Sequence, residues 1–262
     1  MRPRCALCLV SEDLRRSHLI PKWAYKRILD FTSTKSDPVT IQNGRAKASS
    51  LQVWEDLLCA SCEEILSRPE GLAETFACAT DGSSPLFSLP RLAMSAEPAV
   101  ELVSGRTIDH EAMIHFGLAL VWKCAVAKRG GSQCKLGSKY EKLIREYILG
   151  RIPLPDSVVV VLAVMKVEPN SSYHTVSLFP VTDRWETCHR TRVLVCGLHF
   201  DVYLGQQIGL RVREISISHN PDRPIALVPA SQMGFLSKAK TSIIEARPTK
   251  KLAATGIWGD EQ

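Results

Sequence analysis

"CALCLVSEDLRRSHLIPKW", residues 5–23, carries a Cys-x-x-Cys pair (Cys5, Cys8), a serine-histidine step (Ser17, His18) and a Pro-Lys-Trp exit. A second pair, Cys59 and Cys62, stands in "LLCASCEEILS" at 57–67. A short Cys-x-x-Cys turn can present two thiolates to one metal, and tetrahedral Zn²⁺ takes four. The two pairs therefore predict one structural Zn²⁺ held by Cys5, Cys8, Cys59 and Cys62. The order is knuckle, hairpin and helix start, as in a treble clef. A closed set of four thiolates leaves no open coordination position, so such a metal organises the fold and performs no chemistry. Four buried reduced cysteines are the alternative, and they leave the double spacing unexplained.

The chain has 262 residues and nine cysteines, 45% hydrophobic and 23% charged residues, and a formal net charge of +6. This is ordinary for a soluble globular protein and allows one large domain, or a small module joined to a larger one. An odd cysteine count of this kind fits a disulfide framework poorly. Cys78, Cys124, Cys134, Cys188 and Cys196 stand singly on apolar stretches, where core packing explains them. No run of about eighteen apolar residues appears, so no membrane association is expected. The start, Met-Arg-Pro-Arg-Cys, lacks the apolar core of a secretory signal, and a cytoplasmic location is expected.

Basic residues cluster twice. Arg2, Arg4, Arg15, Arg16, Lys22, Lys26 and Arg27 surround the first cysteine pair, which points towards a nucleic-acid partner through phosphate neutralisation. Lys238, Lys240, Arg247, Lys250 and Lys251 read as a solvated basic tail.

Away from the cysteines, three regions are expected: 1–75 with both pairs, a helical middle at 76–150, and a β-rich region at 151–262. Asp30 to Ser50 reads as a loop or irregular hairpin. "DLLCASCEEILS" (56–67) suits a short helix with its start near the second pair, which Pro69 ends or kinks. Residues 80–108 read as mostly irregular, with a strand at 99–104. "HEAMIHFGLALVWKCAVAK" (110–128) is apolar nearly all round, as in a central buried helix. "SKYEKLIREYIL" (138–149) forms an amphipathic helix, with Ser138 and Glu141 as a capping box and Gly150 as its stop. Strands are expected at 157–167, 174–181, 191–204 and 210–217, joined as antiparallel hairpins. His110 and His115, five apart, do not share a helix face and read as packing or capping residues. Gly-rich phosphate loops are absent.

The segments "SHLIPKW" and "LLCASCEEILSRPE" resemble the HNH endonucleases of the ββα-metal superfamily, and more narrowly a set of bacterial HNH-like proteins with Ser-His in place of Asp-His. The resemblance covers roughly residues 5–70. It implies an N-terminal treble-clef zinc module, HNH-like ββα; with the helices and the antiparallel β-rich C-terminal part read from periodicity, the expected fold class is α+β. It implies metal-dependent hydrolysis of phosphodiester bonds in DNA, or in RNA, and makes a role in restriction or defence conceivable. His18 matches the general base. Ser17 stands where an acidic metal ligand is usual, Trp54 where the middle Asn is usual, and Glu63 where the last His is expected. Glu63 would then hold a catalytic Mg²⁺ or Mn²⁺, with Ser67 and Glu70 further along its face. Arg16 and Lys22 would contact phosphate. A structural role for His18 stands beside the catalytic one. So does a catalytically inactive, zinc-organised module that binds nucleic acid or protein, with a protein partner or homodimer engaged through the C-terminal β region.

Overall fold

Leu14 to His18 form strand β1 (Leu14–His18), with Arg15 and Arg16 exposed and Ser17 buried. Helix α1 (Lys22–Phe31), the antiparallel hairpin β2 (Val39–Gln42) and β3 (Arg45–Ala48), strand β4 (Trp54–Cys59) and helix α2 (Ala60–Phe76) follow. The computed structural model describes residues 3–31, 39–42, 45–48, 52–79, 81–92, 100–128, 133–166, 176–220, 224–234, 236, 241 and 245–250. β1 pairs antiparallel with β4, Leu14 opposite Cys59 and His18 opposite Trp54. This two-stranded ribbon hands the chain directly to α2, whose first residue follows Cys59.

The middle region supplies two short strands as well as its helices: β5 (Arg91–Leu92) and β6 (Glu101–Val103), the latter inside the expected strand at 99–104. Helix α3 (His110–Val126) starts at Asp109, whose Oδ1 accepts from the Ala112 N–H at 2.9 Å. Helix α4 (Gly137–Ile148) buries Ile144 and Ile148 and stops at Gly150, which takes φ 67°.

The remainder comprises β7 (Val158–Lys166), β8 (Ser177–Trp185), β9 (Cys188–Val195), β10 (Leu198–Leu204), helix α5 (Leu210–Glu214), β11 (Ile225–Pro229) and β12 (Arg247–Pro248). The main sheet has the order β5-β6-β11-β7-β10-β9-β8; it is antiparallel except where β11 runs parallel to β7. β12 instead pairs parallel with β3. The architecture is mixed α+β.

One hydrophobic cluster runs from Cys5 and Leu7 through α3 to Phe200 and Leu227, so the N-terminal unit and the sheet share a core. Its spine is aromatic. Trp23 of α1 stacks on Phe116 of α3 (6.4 Å), which meets Phe200 of β10 edge-on at 5.8 Å. Gly117 lets the helix approach, since a Cβ there would lie 2.6 Å from the Phe200 ring.

Five expectations are corrected. Asp56–Cys59 is strand, not helix: Leu57, Leu58 and Cys59 are buried while the ribbon pairs with β1. α2 then continues through Pro69 to Phe76, because burial of Leu66 and Ala73 holds both halves against the core. Residues 191–204 are two strands. Cys196 (φ 43°) and Gly197 (φ 85°) both take the left-handed conformation of a two-residue type I′ hairpin turn. Residues 210–217 are not a strand; α5 starts them, with Leu210 78% exposed. The Ser138/Glu141 capping box is not formed either, since Leu136 occupies the N-cap without a side-chain bond.

Candidate metal centre and adjoining site

The first cysteine pair sits on a tight turn. The Cys5 N–H donates to Val10 O and the Leu9 N–H to Cys5 O, with Leu9 at φ 66°. The second pair sits where β4 becomes α2, Cys59 ending the strand and Cys62 in the first helical turn. The Ala6 N–H bonds to Leu57 O (3.0 Å) and the Cys59 N–H to Cys5 Sγ (3.3 Å), drawing the two pairs together. All four sulfurs lie within 4.8 Å of one another, and among the described residues they are the one group of three or more His, Cys, Asp or Glu side chains that could hold a metal ion.

The spacing fits a tetrahedral ion. Sulfurs about 2.3 Å from a common centre stand about 3.8 Å apart, and Cys8 Sγ lies 3.8 Å from Cys59 Sγ. Crowding divides their acidities. Burial pushes the Cys5 thiol up, but the backbone N–H groups of Cys59, Cys8 and Leu7 outweigh it and bring it down to about 7. Burial, and then the neighbouring sulfurs Cys59 and Cys5, hold Cys62 well above its ordinary value. Cys8 is also raised, chiefly by burial. Four thiolates together therefore require a cation. The remaining five cysteines are buried and free, as packing residues would be; burial raises Cys78 and Cys134 to about 12.

Beside the thiols, Ser17 Oγ donates a short hydrogen bond to Glu63 Oε1, joining the end of β1 to the first turn of α2. Ser17 is only 1% exposed. His18 is half-buried at the last position of β1, its ring centroid 6.2 Å from that of Tyr25. The Tyr25 hydroxyl accepts from the Val53 N–H, and burial raises its pKa to about 12. Arg16 is exposed and lies over the Trp54 ring at 4.5 Å from its centroid. Arg16 and Trp54 therefore form a cation–π pair. Lys22 is exposed and lines an open cleft of about 520 Å³ with Trp23, Lys26, Gln52 and Glu70. Ser67 is exposed and bonds to Glu64 O of its own helix, while Glu70 is half-buried. Burial raises the Glu70 carboxyl, and the ammonium of Lys123 opposes that shift.

The structure thus brings the four cysteines together and joins Ser17 to Glu63. Lys123 was not singled out from the sequence, although it is the one charged residue between His115 and Lys128. It is 4% exposed, and its Nζ donates to His18 O at 2.9 Å. Of the histidines read as packing residues, His115 is half-buried and its Nε2 lies 3.1 Å from Ile148 O. In the basic tail Arg247 and Lys250 are exposed; Lys238, Lys240 and Lys251 lie outside the described residues. Among the described residues no helix is long and apolar enough to cross a membrane. No family model matches the chain, and no curated protein or solved structure matches it.

Proposed function

We propose that residues 5–76 form an HNH-like ββα module, organised by one structural Zn²⁺ on Cys5, Cys8, Cys59 and Cys62, that hydrolyses phosphodiester bonds of DNA, or of RNA. One observation carries the reading. Ser17 and Glu63, 46 residues apart, stand at the two positions where the resemblance places metal ligands, and they touch. His18 is the next residue, and the thiols sit on the adjoining turn and helix start.

Mg²⁺ and Mn²⁺ are commonly held by one or two carboxylates with water and substrate phosphate oxygens completing the shell. Glu63 is the carboxylate that fits this description, through the oxygen that Ser17 does not bond. Glu63 would hold the cation, which when bound would polarise the scissile phosphate. His18 acts as general base, taking a proton from the attacking water. The exposed Arg16 and Lys22 offset phosphate charge, giving affinity that weakens with salt.

Supercoiled plasmid incubated with the protein and Mg²⁺ or Mn²⁺ tests the proposal. Nicking that His18→Ala abolishes is the expected result. No nicking with either metal, or equal nicking by the variant, overturns it.

A second reading, a zinc-organised binding module without catalysis, is favoured by the burial of Ser17 at 1% exposure, which makes the Ser17–Glu63 bond a closed structural contact. Salt-sensitive DNA binding that persists in His18→Ala, without nicking by the wild type, selects it.

A further inference from the structure

Lys123 lies in the last turn of α3, and its neighbours Val121, Trp122 and Cys124 are all buried. An ammonium in such a place is costly unless it is paired and hydrogen-bonded, and methionine would fill similar volume without that cost. Both compensations are present. Lys123 Nζ lies 3.9 Å from Glu70 Oε2 of α2, and it donates to the carbonyl of His18 at 2.9 Å.

The contact falls at the point where the chain leaves β1. Leu19 and Ile20, which follow, are buried, and the Leu19 N–H donates to Val53 O at 3.1 Å. Cys124 Sγ lies 4.0 Å from Leu19 O. The backbone on either side of the His18–Leu19 peptide is therefore held from two directions, by the approach to β4 and by α3.

We propose that Lys123 is a positioning residue for His18: its ammonium, balanced by Glu70, anchors the His18 carbonyl and so fixes where the imidazole stands at the end of β1. This rests on the nuclease reading of His18. It extends the site to α3, beyond residues 5–70, and gives the buried charge a purpose that the ion pair alone does not.

The test uses the full chain as wild type, Lys123→Met, Lys123→Met with Glu70→Gln, and Lys123→Arg. Melting temperature, kcat and KM for Mn²⁺-dependent nicking, and the imidazole NMR resonances of His18 are measured. The single Met variant leaves Glu70 without its counter-charge and melts lower; the double variant removes that imbalance and recovers. The double variant is expected to keep its KM, to lose at least tenfold in kcat, and to shift the His18 resonances. Lys123→Arg, which retains charge and donors, is expected to retain more of kcat than the double variant. A double variant with wild-type kcat and unmoved His18 resonances overturns the proposal and leaves Lys123 as a charge partner only. If the wild type does not nick, the nuclease reading falls and the resonances alone decide: a shift in the double variant supports anchoring, and no shift overturns it.

Discussion

Ser17 is the residue on which the two functional readings part. Its hydroxyl is buried and satisfied by Glu63, so it costs little as it stands. An aspartate there would place a second carboxylate against the first. Two such groups do not both ionise unless a cation lies between them; without one, the pKa of one carboxyl is raised. Ser17→Asp is therefore expected to destabilise the metal-free protein by about 2–4 kcal/mol and to regain much of that with millimolar Mn²⁺, as read by thermal melting. A melting temperature indifferent to Mn²⁺ argues that no cation can enter beside Glu63. The gathering of the four thiols was readable in advance, because short-range spacing marks both cysteine pairs; Ser17, His18 and Glu63 were singled out only by the resemblance. Lys123 was not readable, because its partners, His18 O and Glu70, lie far away in the chain. A lone lysine on an apolar helix looks the same whether its head finds water or a carbonyl.

Individual elements show where local pattern fails. The run from Thr191 to Leu204 is apolar on both sides of Cys196-Gly197, so alternation reads straight through a turn that bends the chain back on itself. The cue was a single Gly without the Asn or Asp that usually precedes it. Gly197 sits at φ 85°, and a Cβ there would collide with the Cys78 sulfur. Gly197→Ala combines left-handed strain of about 1–2 kcal/mol with overpacking of about 1–3 kcal/mol. Urea unfolding is expected to report a loss of at least about 2 kcal/mol on that basis; a loss under a few tenths would mean that the turn relaxes freely. That Asp56–Cys59 is extended was not legible for a related reason: "DLLCASC" has no Gly or Pro, and only the pairing with β1 makes its first half extended. α5 shows the reverse, five residues whose alternating charges resemble a strand but which coil once Gly209 turns the chain.

At the scale of the whole molecule, the mixed α+β class was visible in the periodicity of the helical and strand segments. The sharing of one core among them was not, because Trp23, Phe116 and Phe200 meet only in three dimensions. That sharing has an energetic consequence. The ribbon of β1 and β4 is two strands, too few to stand alone in water, and the four thiols beside it, within 4.8 Å of one another, could hold a cation. Binding free energy at such a site is folding free energy. It reaches the sheet through α3, so losing the metal should weaken the molecule beyond its first seventy-six residues.

X-ray absorption at the zinc edge, combined with metal analysis of the purified chain, tests this most directly. One zinc per chain with four sulfur neighbours at about 2.3 Å is the expected result, lost together with the cooperative melting transition on strong chelation. A metal-free chain that melts unchanged, or a shell of nitrogen and oxygen ligands, contradicts it.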